Sequence, residues 1–272
     1  MTWPAKITPN AAPASISAVQ LATVKTELGI TDSSEDTKIN RLIAAVSVSL
    51  SGPEGLDREY WRQDRTEDHA GRGGELLPLS VWPIETVASV AWDGSTVTAS
   101  EYSIVPPLRR ELYRSDGWNL SDVSDARRYH RSIKYQTAYI GGWWMPDQEP
   151  AGWAASTAYT AGDFVKSTAS PRLYYFEATV GGTSDATEPT WPTTEDGTVA
   201  DNDITWTARG GSLLPSDLQE AALIQVMGAF NGGWQAPAGI AEHWYDGARI
   251  RYRESSVVTL MPAVSAMCSR YR

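Results

Sequence analysis

The residue types that do chemistry are few in this chain and poorly grouped for it. His69, His130 and His243 are its only histidines. None has a second His or Cys at the HxxxH or CxxC spacing that a zinc site needs. Asp64, Glu67, Asp68 and His69 do cluster, in RQDRTEDHAGRGGE (62–75). That run is polar and glycine-rich, and it reads as a loop rather than a metal or acid–base site. GRGG and RGGE match neither a phosphate-cradling nor a dinucleotide fingerprint. The single Cys268 has no evident histidine partner and reads as a buried thiol rather than a nucleophile. No pair of carboxylates falls on adjacent strand ends, as glycoside hydrolysis would require. An enzyme is not expected, nor is any catalytic residue, metal or cofactor.

Two patterns suit binding better. In ARIRYRE (248–254), Arg249, Arg251 and Arg253 alternate, so on a strand they share one face. Such a stripe fits a surface facing DNA or an acidic partner, and equally an edge strand kept soluble by its charge. Arg270 and Arg272 add charge at the C-terminus. A second basic group is Arg109, Arg110, Arg114, Arg127, Arg128 and Arg131, partly neutralised by Asp122 and Asp125; it reads as a solvated or intersubunit face. The other pattern is aromatic: Trp153, Tyr159, Tyr174, Tyr175, Trp191 and Trp206 fall within about sixty residues built from Gly, Thr, Asp and aromatics. Aromatic faces can stack on a sugar. They can equally be the core of a small domain with little else to bury.

Composition narrows the classes. The chain has 272 residues, 42% of them hydrophobic, enough for one large domain or two smaller ones. Twelve Trp and twelve Tyr stand against three Phe, a balance that suits β surfaces and interfaces. The net charge of −10 argues against a freely diffusing nucleic-acid binder. One cysteine excludes an intrachain disulfide. There is no apolar run of membrane-spanning length and no apolar signal core near the start, so a soluble protein made in the cytosol is expected.

The elements that must position these residues are legible in outline. Residues 1–15 are rich in Pro, Ala and Thr and read as an extended arm. ISAVQLATVKTELGI predicts a helix closed by Gly29. TDSSEDTKINRLIAAVSVSLSG predicts a second, with a capping box from Ser33 to Asp36 and an apolar face of Ile39, Leu42, Ile43, Val46 and Leu50. LPLSVWPIETVASVAWDGSTVTASEYSIV predicts strands with a hairpin turn at Asp93-Gly94. ELYR (111–114) and SIKYQTAYI (132–140) predict more, the latter with Ile133, Tyr135, Thr137 and Tyr139 on one face. Residues 151–210 carry eight acidic residues against three basic ones, a net of −5. They predict a small all-β unit with strands in DFVKS, LYYFEATV and DITWTA. LPSDLQEAALIQVMGAF predicts an amphipathic helix starting at Pro215. ARIRYRESSVV predicts a strand, and MPAVSAMCSRYR a short terminal helix.

The order of these segments resembles the head–tail connector (adaptor) proteins of tailed bacteriophages. The resemblance is carried by the short helix and the LGITDSSEDTKINRLIAAVSVSLSG hairpin, then the Pro and V-x-S-V strand leading through a Gly turn to a Tyr strand. It continues in the aromatic strand ending at Tyr139, Gly141 and Gly142, the LPSDLQEAALIQVMGAF helix, and the short helix closing on SRYR. It covers roughly 15–150 and 211–272. In the connector pattern the Gly-Gly strand runs almost directly into the Pro-x-Asp-Leu helix, whereas here sixty residues intervene. Those sixty separately resemble a small chitin-binding-type carbohydrate-binding module through Trp153, Tyr159, Gly162-Asp163, Val165, Tyr174/Tyr175, Pro189 and Trp206.

The resemblance implies an α+β protein: a helical bundle with an attached antiparallel β-sheet, plus an inserted small all-β domain. Its divisions would be an arm at 1–15, a connector domain at 16–150 and 211–272, and the insert at 151–210. It implies a non-enzymatic subunit of a homo-oligomeric ring, a dodecamer in that family, at the capsid–tail junction of the virion. The partners would be the portal protein, a neck (stopper) or tail-terminator protein, and the genomic DNA passing through, with no membrane. Arg249, Arg251, Arg253, Arg270 and Arg272 would then be the DNA-channel or portal-facing residues. The competing reading is a carbohydrate-binding protein acting on a glycan through the insert.

Overall fold

The computed structural model describes residues 6–69, 74–106, 108–118, 135–168, 174–231, 242–245, 248–251 and 260–271. In chain order these form β1 (Lys6–Pro9), α1 (Leu21–Leu28), α2 (Asp36–Leu50), β2 (Gln63–His69), β3 (Leu76–Pro78) and β4 (Ile84–Trp92). Next come β5 (Ser95–Val97), β6 (Ser103–Ile104), β7 (Glu111–Tyr113), β8 (Tyr135–Gly141), β9 (Ala158–Tyr159), β10 (Phe164–Lys166) and β11 (Tyr175–Val180). The chain ends with β12 (Gly182–Thr183), β13 (Thr198–Asp201), β14 (Ile204–Arg209), α3 (Ser216–Phe230), β15 (Glu242–Tyr245), β16 (Ala248–Arg251) and α4 (Pro262–Cys268). The fold is α+β: four helices and several antiparallel sheets among the described residues. It divides into two compact units, one from 1–14, 60–144 and 148–213, the other from 15–59, 145–147 and 214–272.

In the first unit a five-stranded sheet runs β1-β2-β8-β4-β5. Residues 6–9 of the extended arm form its edge, with Lys6 opposite Asp68 and Pro9 opposite Arg65. β8 alternates as expected over Tyr135, Thr137 and Tyr139, which are buried, with Gln136 exposed; Ile133 lies outside the described residues. Asp93 and Gly94 both have positive φ, 48° and 80°, and join β4 to β5 with Trp92 opposite Ser95. That is the turn a two-residue hairpin of right-handed twist requires. Trp118, Tyr135, Tyr139, Leu77, Leu112 and Ile84 are core residues beneath this sheet and the smaller β3-β7-β6 sheet.

The 62–75 stretch is not simply a loop. Seven of its residues form β2, the second strand of the large sheet, with Gln63, Arg65, Glu67 and His69 all buried. Its inward face is polar, which is why hydrophobic alternation could not reveal it. The Glu67 carboxylate accepts from the Ser80 hydroxyl (2.6 Å), the Ser80 amide and the Tyr139 hydroxyl (2.7 Å). Arg65 donates to the carbonyl of Trp61 (3.2 Å) and the side chain of Gln63 (3.3 Å). Buried charge persists where such partners satisfy it.

The end of β8 shows why two glycines stand there. A β-carbon on Gly141 would lie 2.7 Å from the Tyr139 ring and 2.8 Å from the Val81 carbonyl oxygen. At Gly142, with φ 103°, it would lie 2.2 Å from the Trp61 carbonyl oxygen. The Gly142 amide donates to Pro83 O and the Trp143 amide to Tyr60 O. Backbone meets backbone here, and no side chain fits between.

Residues 164–209 build a separate four-stranded sheet, β10-β11-β14-β13, with Val165, Phe176, Ala178, Ile204, Trp206 and Ala208 in its core. This sheet is tied to the rest of its unit by charge. Arg109 grips Glu195 through two bonds of 2.6 and 2.7 Å, and Lys166 meets Glu149 at 2.9 Å. Arg62 pairs twice with Glu85 and lies 4.2 Å from the Trp144 ring and 5.7 Å from that of Phe164. Bidentate arginine–carboxylate pairs fix orientation as well as distance.

The second unit is helical. Gly29 closes α1 in the left-handed conformation, its amide reaching the carbonyls of Lys25 and Thr26. The capping box expected from Ser33 to Asp36 does not form. Glu35 is the residue before α2 and makes no side-chain cap, while Asp36 instead pairs with Lys25 at 2.7 Å. The Asp36 charge still sits in the first turn, where the helix dipole favours it. α3 buries Leu218, Ala221, Ala222, Leu223, Gln225 and Val226, so it is covered on most sides. The Gln225 side chain accepts from the Met261 amide (2.9 Å), placing the start of α4, and Ser265 donates to the Glu54 carbonyl (2.7 Å). Tyr271 donates to Asp217 at the start of α3 (2.8 Å), fixing the C-terminal turn.

Candidate functional site

Arg249 and Arg251 lie on β16, one strand of a two-stranded ribbon. β15, which composition did not reveal, pairs with β16 so that Glu242 faces Arg251 and Trp244 faces Arg249. Directly opposed residues of an antiparallel pair share a face. Of the two arginines of β16, Arg251 has an acidic residue in register and Arg249 a tryptophan. Arg253 and Arg272 lie outside the described residues. Arg270 is exposed and lies 4.0 Å from the Asp217 carboxylate.

The second basic group is dispersed by its partners. Arg109 turns inward to Glu195, and Arg114 pairs with Glu101 at 2.6 Å. Arg110 is exposed and lies 5.5 Å from the Trp82 ring. Arg127, Arg128 and Arg131 fall outside the described residues.

The aromatics of residues 153–206 converge on one carboxylate. Asp201 is buried at the end of β13, and its Oδ2 accepts the indole N–H groups of both Trp153 and Trp206, each at 2.9 Å. Its other oxygen accepts the Asp185 amide at 2.8 Å. Trp206 is fully buried and meets Tyr159 edge-on at 5.0 Å and Trp191 at 5.9 Å. Trp191 stacks on Phe176 at 4.0 Å and 23°. Its indole donates to Glu188 (2.7 Å), which also accepts from Thr168. Burial alone would raise the Glu188 carboxyl, but the Thr168, Trp191 and Ser167 donors outweigh it and hold the group below its ordinary value. Tyr174 packs against the same cluster, and Tyr175 lies 5.3 Å from Trp144. None of the six aromatics is an exposed residue. Trp206 and Tyr175 are buried, and the other four are partly buried against the same sheet. Asp201 organises the cluster, and nothing in its sequence neighbourhood singles it out from seven other acids.

Among the described residues no group of His, Cys, Asp and Glu could hold a metal ion, and no helix is long and apolar enough to cross a membrane. Cys268 is buried on α4.

A solved structure described as the neck of an empty GTA particle computed with C6 symmetry is similar to this chain. The identity is 12%, the TM-score 0.47, and 98% of this chain and 95% of that one are covered. No family model and no curated protein matches the chain.

Proposed function

We propose that this chain is a structural head–tail connector (adaptor) subunit of a tailed bacteriophage. It forms a homo-oligomeric ring beneath the portal, joins the capsid to the neck or tail in the virion, and continues the DNA channel. It carries out no reaction.

One observation carries this reading. The Trp144 amide donates to the Ser212 carbonyl at 2.9 Å, and Trp144 and Leu213 form a parallel bridge. The Gly-Gly strand β8 and the approach to α3 therefore lie side by side although the aromatic segment separates them in sequence. This is the arrangement left when a domain is inserted into a short strand-to-helix connection. With 151–210 set aside, the order of helical hairpin, sheet, Gly-Gly strand, α3 and short terminal helix is that of the connector pattern. The arginines of β16 would face the channel or the portal, repeated in every subunit.

Electron microscopy and native mass spectrometry of the full chain, alone and with portal rings, test the proposal. A closed ring seated on the portal is expected. A chain that stays monomeric with portal present overturns it.

A further inference from the structure

The turn between β6 and β7 is built around a strained residue. Arg109 has φ 50°, a left-handed backbone that its β-carbon disfavours. Its own side chain holds it there, donating to the carbonyls of Ile84 (2.6 Å) and Glu85 (2.8 Å) and twice to Glu195. Its amide closes the turn on the Val105 carbonyl at 3.0 Å. With Arg109 turned inward, both neighbours face outward. Leu108 is 58% exposed, and Arg110 is exposed with no carboxylate partner among the described residues. The result is a basic knob with an apolar tip.

A matching surface lies at the far end of the inserted sheet. Glu195, gripped by Arg109, precedes β13 near the end where Tyr175 faces Arg209. At the other end Val180 is 52% exposed, and Asp163 and Asp203 are exposed there. The Asp163 carbonyl accepts from Ala178, and Asp203 abuts Gly182, which places both residues at that end; one oxygen of the Asp163 carboxylate also accepts from the Thr160 amide and hydroxyl. A six-residue strand spans roughly 17 Å, so the knob and the acidic end are held apart within one copy.

We propose that Leu108 and Arg110 of one copy dock on the Val180, Asp163 and Asp203 end of a second copy's insert. Apolar meets apolar and basic meets acidic, and both halves of the surface belong to this chain. A contact between two different patches is head-to-tail, and its repetition closes into a ring when the rotation allows. The insert would then be an intersubunit bracket. This rests on the ring proposed above.

The test uses the full chain. Leu108→Cys with Val180→Cys should give covalent multimers up to ring size on mild oxidation, and neither single variant should. Arg110→Glu should raise the concentration needed for half-assembly by about tenfold, and Asp203→Arg should restore assembly in the same chain. Normal ring assembly with Arg110→Glu alone, together with no crosslinks in the double-cysteine chain, overturns this contact and leaves the ring reading standing. A wild-type chain that forms no ring with portal overturns both.

Discussion

Tyr139 donates its hydroxyl proton to the Glu67 carboxylate over 2.7 Å, between neighbouring strands and out of contact with water. Burial, and after it the negative charge of Glu67, pushes the Tyr139 phenol above its ordinary 10.0. Folded Tyr139 keeps its proton where the unfolded chain has lost it. The stability this supplies is complete below about pH 10 and is lost as pH rises from there toward the folded value. Tyr139→Phe should lower stability by about 1–3 kcal/mol near neutral pH, because Glu67 loses a donor. The variant should also lose less stability than the wild type between about pH 9 and pH 11. Urea unfolding at each pH measures both, and identical alkaline slopes would assign the loss to another group.

Gly142 and Gly94 both have positive φ, but only one is crowded. A β-carbon at Gly94 would meet nothing within 4 Å, whereas at Gly142 it would lie 2.2 Å from the Trp61 carbonyl oxygen. Gly94→Ala should cost about 1 kcal/mol, the left-handed backbone penalty alone. Gly142→Ala should cost at least about 3 kcal/mol, because two backbone segments must separate. Thermal melts of the two variants decide this. Equal losses would mean that the close approach at the end of β8 relaxes freely.

The sequence made the helices and the apolar strands legible because their side chains alternate with the period of the backbone. Ile39, Ile43, Val46 and Leu50 are buried on α2, and Tyr135 and Tyr139 on β8. β2 was illegible for the opposite reason: both of its faces are polar, and Glu67 becomes a core residue only because Ser80 and Tyr139 arrive from elsewhere in the chain. The capping box at Ser33 does not form because α2 begins at Asp36, with Glu35 before it, so Ser33 lies outside the capping position and Asp36 pairs with Lys25 instead. At the aromatic cluster the tryptophans were visible. The shared acceptor was not, since Asp201 owes its role to being the last residue of β13, in register with Ile204.

That shared acceptor makes Asp201→Asn informative. One oxygen serves two indoles and the other serves the Asp185 amide. An amide has a single oxygen, so either orientation turns its NH₂ group toward a donor. A loss of about 2–3 kcal/mol is expected, with a shift in tryptophan emission as Trp153 and Trp206 loosen. Trp153→Ala should likewise lower stability, and the intact protein should pass through a chitin column. Retention on chitin that Trp153→Ala abolishes without loss of stability would restore the carbohydrate-binding reading.

The ribbon of β15 and β16 distinguishes two arginines that the sequence presents as equivalent. Arg251 stands in register with Glu242, while Arg249 stands in register with Trp244. A charge with an opposite charge directly across the ladder has less of its field available to a third party. If this ribbon faces the DNA channel, Arg249→Ala should therefore reduce DNA retention in filled particles more than Arg251→Ala, with ring assembly intact in both. Retention must be compared at several salt concentrations, because a phosphate contact weakens as salt rises and its removal flattens that dependence. Particles that keep their DNA equally well in wild type and both variants, at every salt concentration, would remove the arginines of β16 from the channel wall.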